Sequence, residues 1–463
     1  MKNHFYIPSA LALFASVLLT SCDPEIDAPS ASAGQADFSS FLSVGNSLSA
    51  GYADGGLYLE GQQSSVPALL AQQFSAVGGG EFKQPLFDEA QKNGSGYIRL
   101  AGFTPQGTPI MANVTTEVAV RGVNEKGEPL YVKYPGNINN LAVPGIRTAD
   151  IKTPGYGSTK GNPYFERLTE APLKTYLEYV QEQAAAADHT FFSVWMAEND
   201  VLGYATSGGF SGSLTEVGVF EANYTALVDV LTADGEKGIA VTIPNVTAIP
   251  FFTTVGPSLK AGLQAAGVTA IAALTKDTPQ RIPLLISNIK DAAGGTELIP
   301  LTASAYAPLI GTPTGKYWKD IAKGNQAALQ GLLNAYMIDT TQAFGSPQNP
   351  WPSSLLLDGA EQEAILARTT AFNDFIKANA QENDLAVWDA FSFFNSIQGG
   401  FAKNGVSYSP AYITGNLFSL DGVHLTPRGY AIAANEMIKA INAKYSATVP
   451  TLDETQYRAV LFP

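Results

Sequence analysis

Short apolar runs of strand length alternate along this chain with stretches of helical periodicity, and few folds accommodate that alternation. Phe38–Val44 (FSSFLSV) reads as a strand ended by Gly45. Pro67, Leu69, Leu70 and Phe74 then mark a helix, with Ser64 and Ser65 placed to cap it. Thr190–Met196 (TFFSVWM) is a second strand, followed by a helical stripe of Phe220, Tyr224, Leu227 and Leu231. Gly238–Ile243 (GIAVTI) is a third, stopped by Pro244, and Leu385–Trp388 a fourth. Asp358 with Glu361 opens a helix whose stripe is Ile365, Phe372 and Ile376. Thr426-Pro427 opens the last helix, with Tyr430, Ala434, Met437 and Ile441 on its buried face. Buried strands alternating with amphipathic helices imply an α/β chain with a mostly parallel sheet covered on both sides. Such sheets bind ligands beyond the carboxyl ends of their strands, so the residues that follow each strand are the first candidates for chemistry.

Two stretches interrupt the alternation. Residues 75–136 hold β-like pieces (TTEVAV and EPLYVKY), and residues 245–350 are Ala-, Leu- and Pro-rich and partly helical. Both read as insertions on one domain spanning 38–446, with 447–463 as a C-terminal tail; the second insertion is long enough to roof a site. The N-terminus reads as an export signal. Lys2 precedes an apolar run from Phe5 to Leu19 that is too short for a membrane span and ends in Leu19-Thr20-Ser21-Cys22. Cys22 is the single cysteine, so no internal disulfide forms. Residues 1–21 are therefore expected to be a lipoprotein signal peptide and Cys22 an acylated anchor, with 22–37 a small, polar tether to the membrane of a bacterial cell envelope. A plain secretory signal with an incidental cysteine is the alternative. Removing Lys2 leaves 26 basic against 41 acidic residues, a net charge of −15, which argues against a nucleic-acid partner.

Imidazole chemistry is confined by scarcity. Of three histidines, His4 lies in the leader and His189 follows an Ala-rich run, where it reads as a surface loop residue. His424 stands in Asp421-Gly-Val-His424, where a carboxylate three residues earlier can hold one ring nitrogen and leave the other free to take a proton. Two mature histidines do not make a histidine-rich zinc site, and no cofactor is expected. After the first strand comes Gly45-Asn46-Ser47-Leu48-Ser49-Ala50-Gly51, which puts the Ser47 hydroxyl on a strand-end turn; it lacks the second glycine of the G-x-S-x-G elbow, and a turn-capping serine is the other reading. Asn140-Leu-Ala-Val-Pro-Gly145 ends in a glycine that is either a plain turn or a close-approach backbone N–H. Ala197-Glu198-Asn199-Asp200 follows the second strand, where the Asn199 amide faces an oxyanion or merely shapes a turn. Asp200 and Asp389, at other strand ends, are rival acids without the three-residue spacing to His424. Asp54-Gly55-Gly56 reads as a turn that could also line the pocket, and FSFFNSIQGGF (Phe391–Phe401) as core or as an acyl site.

Together GNSLSAGY, NLAVPG, AEND and DGVHLTPRGYAIAANEMI form four ordered blocks across residues 38–444, and the chain resembles the SGNH, or GDSL-type, hydrolases. The resemblance implies a three-layer α/β/α sandwich of flavodoxin-like type with insertions. It further implies Ser47 as nucleophile, His424 as general base and Asp421 as the group orienting it. The oxyanion hole it implies comprises the Ser47 N–H, the Gly145 N–H and the Asn199 side chain. The expected activity is a serine ester hydrolase, an esterase or lipase acting on lipid acyl esters or acetylated glycans; the alternative is a non-catalytic surface binding lipoprotein on the same scaffold. Two positions depart from the family pattern: Asn46 replaces the usual Asp before the serine, and Ala197 replaces the usual Gly of the third block.

Overall fold

Residues buried on both faces of a sheet lose the in–out alternation of a half-exposed strand, which is why the strand runs here are mostly apolar, with small serines buried among them. In the computed structural model, which describes residue 1 and residues 30–463 except 106 and 277, they form one parallel four-stranded sheet. Its strands are Phe41–Gly45 (β1), Phe191–Trp195 (β2), Lys237–Val241 (β3) and Ala386–Trp388 (β4), in that spatial order. β1 and β2 are buried throughout. Register sets Phe41 beside Phe191 and Val44 beside Val194, then Ser193 beside Ile239 and Ile239 beside Ala386. The outer edge of β1 is not free. Ser43 bridges Asn140 in parallel, and Leu141 and Val143 donate their N–H groups to Ser43 and Gly45 at 2.8 and 3.0 Å. The Asn140 block thus runs beside β1 as an irregular fifth rung and delivers Gly145 to the same end of the sheet. Cys22, the leader and residues 22–29 of the tether lie outside the described residues.

Among the helices are Ser47–Ala50 (α1), Val66–Phe74 (α2), Tyr176–Ala187 (α3), Asn199–Thr206 (α4), Val217–Leu231 (α5), Val255–Ala265 (α6), Gly359–Glu382 (α7) and Pro427–Tyr445 (α8). Three start on the side chains expected to cap them. Ser65 accepts from Ala68 N–H, Asp358 and Glu361 form a reciprocal capping box, and Thr426 accepts from Gly429 N–H. The stripes of α5 and α7 meet where Phe220 stacks on Phe372, ring centroids 4.0 Å apart. No helix among the described residues is long and apolar enough to cross a membrane.

Both insertions carry small antiparallel sheets. The first holds hairpins 97–103/109–114 and 120–123/129–131, the second holds 270–274/281–285 and encloses its own core around the buried Trp318 and Trp351. Residues 31–463 still form one compact unit. Residues 32–37 at the end of the expected tether lie against the last helix: Gln35 N–H donates to Tyr445 O, and Thr448 N–H to Ser32 O. Tail residues Val449, Leu452 and Val460 are buried.

Tyr445 ties the sheet's far edge together. Its hydroxyl donates to Gly238 O at 2.7 Å and accepts from the N–H groups of Gly238 and Ala386, each at 3.2 Å. Tyr445→Phe leaves those buried N–H groups short of an acceptor and is expected to cost about 1–3 kcal/mol in urea unfolding with an unchanged m-value.

Candidate active site

Strand ends β1 and β2, together with the turn before α8, converge on one point. Ser47 opens α1 directly after β1, and its Oγ lies 2.8 Å from His424 Nε2. His424 Nδ1 lies 2.9 Å from Asp421 Oδ2. The Asp421 carboxylate is saturated by donors: Oδ1 accepts from Ser419 Oγ and from the N–H groups of Val423 and His424, and Oδ2 from Gly55 N–H and the His424 ring. Burial alone raises the Asp421 pKa. These hydrogen bonds, with the charge His424 carries when its ring is protonated, outweigh it and hold the carboxyl well below the ordinary range. An ionised carboxylate only accepts, so Nδ1 carries the proton and the Nε2 lone pair faces the Ser47 hydroxyl. Tyr52 packs its ring against the imidazole, centroids 4.7 Å apart.

The Asp54-Gly55-Gly56 turn, read from sequence as a turn or pocket lining, braces the acid. Asp54 sits at φ +54°, takes the Leu420 N–H on Oδ1 and the Tyr58 hydroxyl on Oδ2, and passes its own N–H to Ser419 Oγ. Arg458 from the tail reaches Asp54 Oδ2 at 3.4 Å and Glu60 at 2.8 Å. Ser419 and Arg458 went unrecognised in the sequence. Ser419 lies two residues before the Asp421 block, a signal that was available; Arg458 carried none.

Gly145 adopts φ +83°, a conformation that favours glycine, at the end of the irregular rung. The Asn199 amide donates to Ile146 O at 3.0 Å, so the α4 start is tied to the residue after Gly145. Asp200, fully buried, accepts the N–H groups of Thr148 and Ala149. Among the described residues, the hydrogen bonds leave the N–H groups of Ser47 and Gly145 unused.

The two departures from the family pattern acquire physical content here. Asn46 caps α1 by accepting from Leu48 N–H, and its Nδ2 donates to Glu198 Oε2. An aspartate at position 46 would set two carboxylates against each other; the amide supplies the donor that Glu198 requires. Ala197 adopts φ +100°, where a Cβ is strained, at a cost on the order of 1–2 kcal/mol. The remaining candidates are occupied elsewhere. Asp389 caps a short helix at Ser392 N–H and pairs with Lys377. His189 corrects its surface reading: it is buried and its Nε2 meets Leu231 O at 3.0 Å, because the segment before β2 is covered by the end of α5. From the aromatic run, Phe394 lines a small cleft with Leu48, Trp195 and Val423. Among the described residues no group of three or more His, Cys, Asp or Glu is arranged to hold a metal ion.

Burial pushes the Glu198 pKa from 4.5 up to about 7. The native state therefore retains a proton that the unfolded chain has released, and the stability this group contributes below pH 4.5 is lost as pH rises through 7. Glu198→Gln stays neutral throughout, so its stability relative to the parent should rise by about 1–3 kcal/mol between pH 5 and pH 8, read from urea unfolding at both. Compared with protein-family models and with curated proteins, the chain has no match in either.

Proposed function

We propose that the protein is a serine ester hydrolase working through an acyl-enzyme, on the three-layer α/β/α scaffold of SGNH hydrolases. The observation that carries the reading is the relay of Ser47 Oγ, His424 and Asp421, with 2.8 and 2.9 Å steps. A serine hydroxyl is a poor nucleophile at neutral pH and needs a base within hydrogen-bond reach. His424 takes the hydroxyl proton as Oγ attacks the ester carbonyl, Asp421 steadies the imidazolium, and the same proton passes to the leaving alcohol oxygen. Water then repeats the sequence in reverse and frees the acid. The unused N–H groups of Ser47 and Gly145, with the second hydrogen of the Asn199 amide, are the donors for the developing oxyanion.

Topology supports the scaffold. With the Asn140 rung counted, the sheet order in chain numbering is 2-1-3-4-5, the flavodoxin-like order, and its switch point lies between β1 and β2. Ser47 and Asn199 follow those two strands.

Hydrolysis of p-nitrophenyl esters tests the reading. Ser47→Ala should abolish turnover, and Asn199→Ala should lower kcat by about a hundred- to a thousandfold with little change in KM. Activity in the Ser47→Ala protein equal to the parent, or none in the parent across acetyl to long-chain esters, would favour a binding lipoprotein on the same scaffold. The envelope location belongs to the same proposal: full-length protein should incorporate radiolabelled palmitate in a bacterial host and lose it in Cys22→Ser.

A further inference from the structure

The two insertions face each other across a groove of about 760 Å³ whose lining reaches Asp421, the acid of the relay, and stops short of Ser47 and His424. One wall is the first hairpin, through Ile98, Pro109 and Met111; the other is α6 and the segment after it, through Leu259, Gly262 and Leu301. Leu420 and Asp421 are part of the lining, so the groove is continuous with the carboxylate that holds His424. Among the described residues that line it, Asp421 alone is charged, six carry hydroxyls and the remainder are apolar. The volume falls within the range of small-molecule sites.

We propose that this groove holds the hydrocarbon chain of a lipid ester whose carbonyl lies at Ser47, an assignment that rests on the hydrolase reading above. Three observations select that occupant. Among the described residues no cation lines the groove to meet a phosphate or carboxylate, which favours an uncharged part of the substrate there. Asp421 keeps its five donors from the protein itself, so it asks nothing polar of an occupant. The hairpin wall also ends in an apolar lip: Phe103, the cross-strand partner of Pro109, is 45% exposed and stacks on Phe462, itself 57% exposed. Water-exposed aromatic rings beside an apolar groove suit a substrate arriving from a lipid phase. The acetyl group of a glycan ester is too short to cover this surface.

Gly262 gives a clean test, because a Cβ there meets no atom within 4 Å and a larger side chain grows into the groove. The parent should hydrolyse p-nitrophenyl palmitate with a kcat/KM at least tenfold above that for the acetate, each buried methylene contributing up to about fourfold. In Gly262→Trp, and independently in Ser258→Arg on the same helix face, the ratio of palmitate to acetate kcat/KM should fall at least tenfold. The ratio is read in whichever of these variants keeps an acetate kcat/KM near the parent's, so that misfolding, which lowers both rates together, is not scored. Hexadecyl acetate, with its chain on the alcohol side, separates the two ways a chain could enter; sensitivity in either arm supports the groove, and an unchanged ratio in both overturns it. A binding arm needs no turnover: Ser47→Ala protein should bind the fluorescent methyl ester of cis-parinaric acid, and adding Gly262→Trp should weaken that binding at least tenfold. Probe binding without hydrolysis of any ester keeps the groove and sinks the catalytic reading. Ser47-dependent hydrolysis with neither chain-length preference nor probe binding does the opposite.

Discussion

A buried carboxylate given five hydrogen-bond donors is the fixed point of this molecule. An unpaired ionised acid in that position would be expensive to desolvate, and a neutral one could not fix the histidine tautomer. Asp421 avoids both outcomes because its partners come from the turn after α1, from Ser419, from its own backbone neighbours and from the His424 ring. The arrangement links the first and last parts of the domain through one side chain. It also explains why Asp54, which touches neither Ser47 nor His424, is held by Tyr58, Leu420 and Arg458: the turn must stay rigid if Gly55 N–H is to reach Oδ2.

The parts legible in the sequence were those governed by local rules. Strand runs and capped helices followed from periodicity and from Ser65, Asp358 and Thr426, whose side chains satisfy N–H groups only a few residues away. The Asp421 to His424 spacing was legible for the same reason, since it closes within one turn. Strand-end positions of Ser47 and Asn199 followed from the alternation, although their meeting depends on a sheet order that no local pattern encodes. The insertions were legible only as departures; that residues 255–356 enclose a core around Trp318 and Trp351, running past the expected end at 350, depends on long-range packing. His189 was misjudged because nothing in an Ala-rich neighbourhood announces that the end of α5 will cover it.

Asn46 and Glu198 show the limit from another side. Each is unremarkable alone, and each becomes explicable once the other is seen across 152 residues of chain. The pair also joins the turn of Ser47 to the turn of Asn199, and with the Asn46 N–H bond to Trp195 O it helps set the spacing between a hydroxyl and an amide that follow neighbouring strands. Ala197, strained at φ +100° in the same turn, is tolerated because β2 and α4 over-determine its backbone on both sides.

The long separation between β1 and its partner has a consequence for how the chain matures. Phe41 pairs with Phe191, 150 positions later, and the hydroxyl of Ser47 meets a ring 377 positions away. A nascent chain thus carries an unpaired, mostly apolar ribbon until Phe191–Trp195 has been made, and Arg458 cannot brace Asp54 before α8 has been completed. Such a ribbon is prone to pair with other chains, so holdase chaperones that shield unfinished sheet edges should govern its yield more than its final stability does.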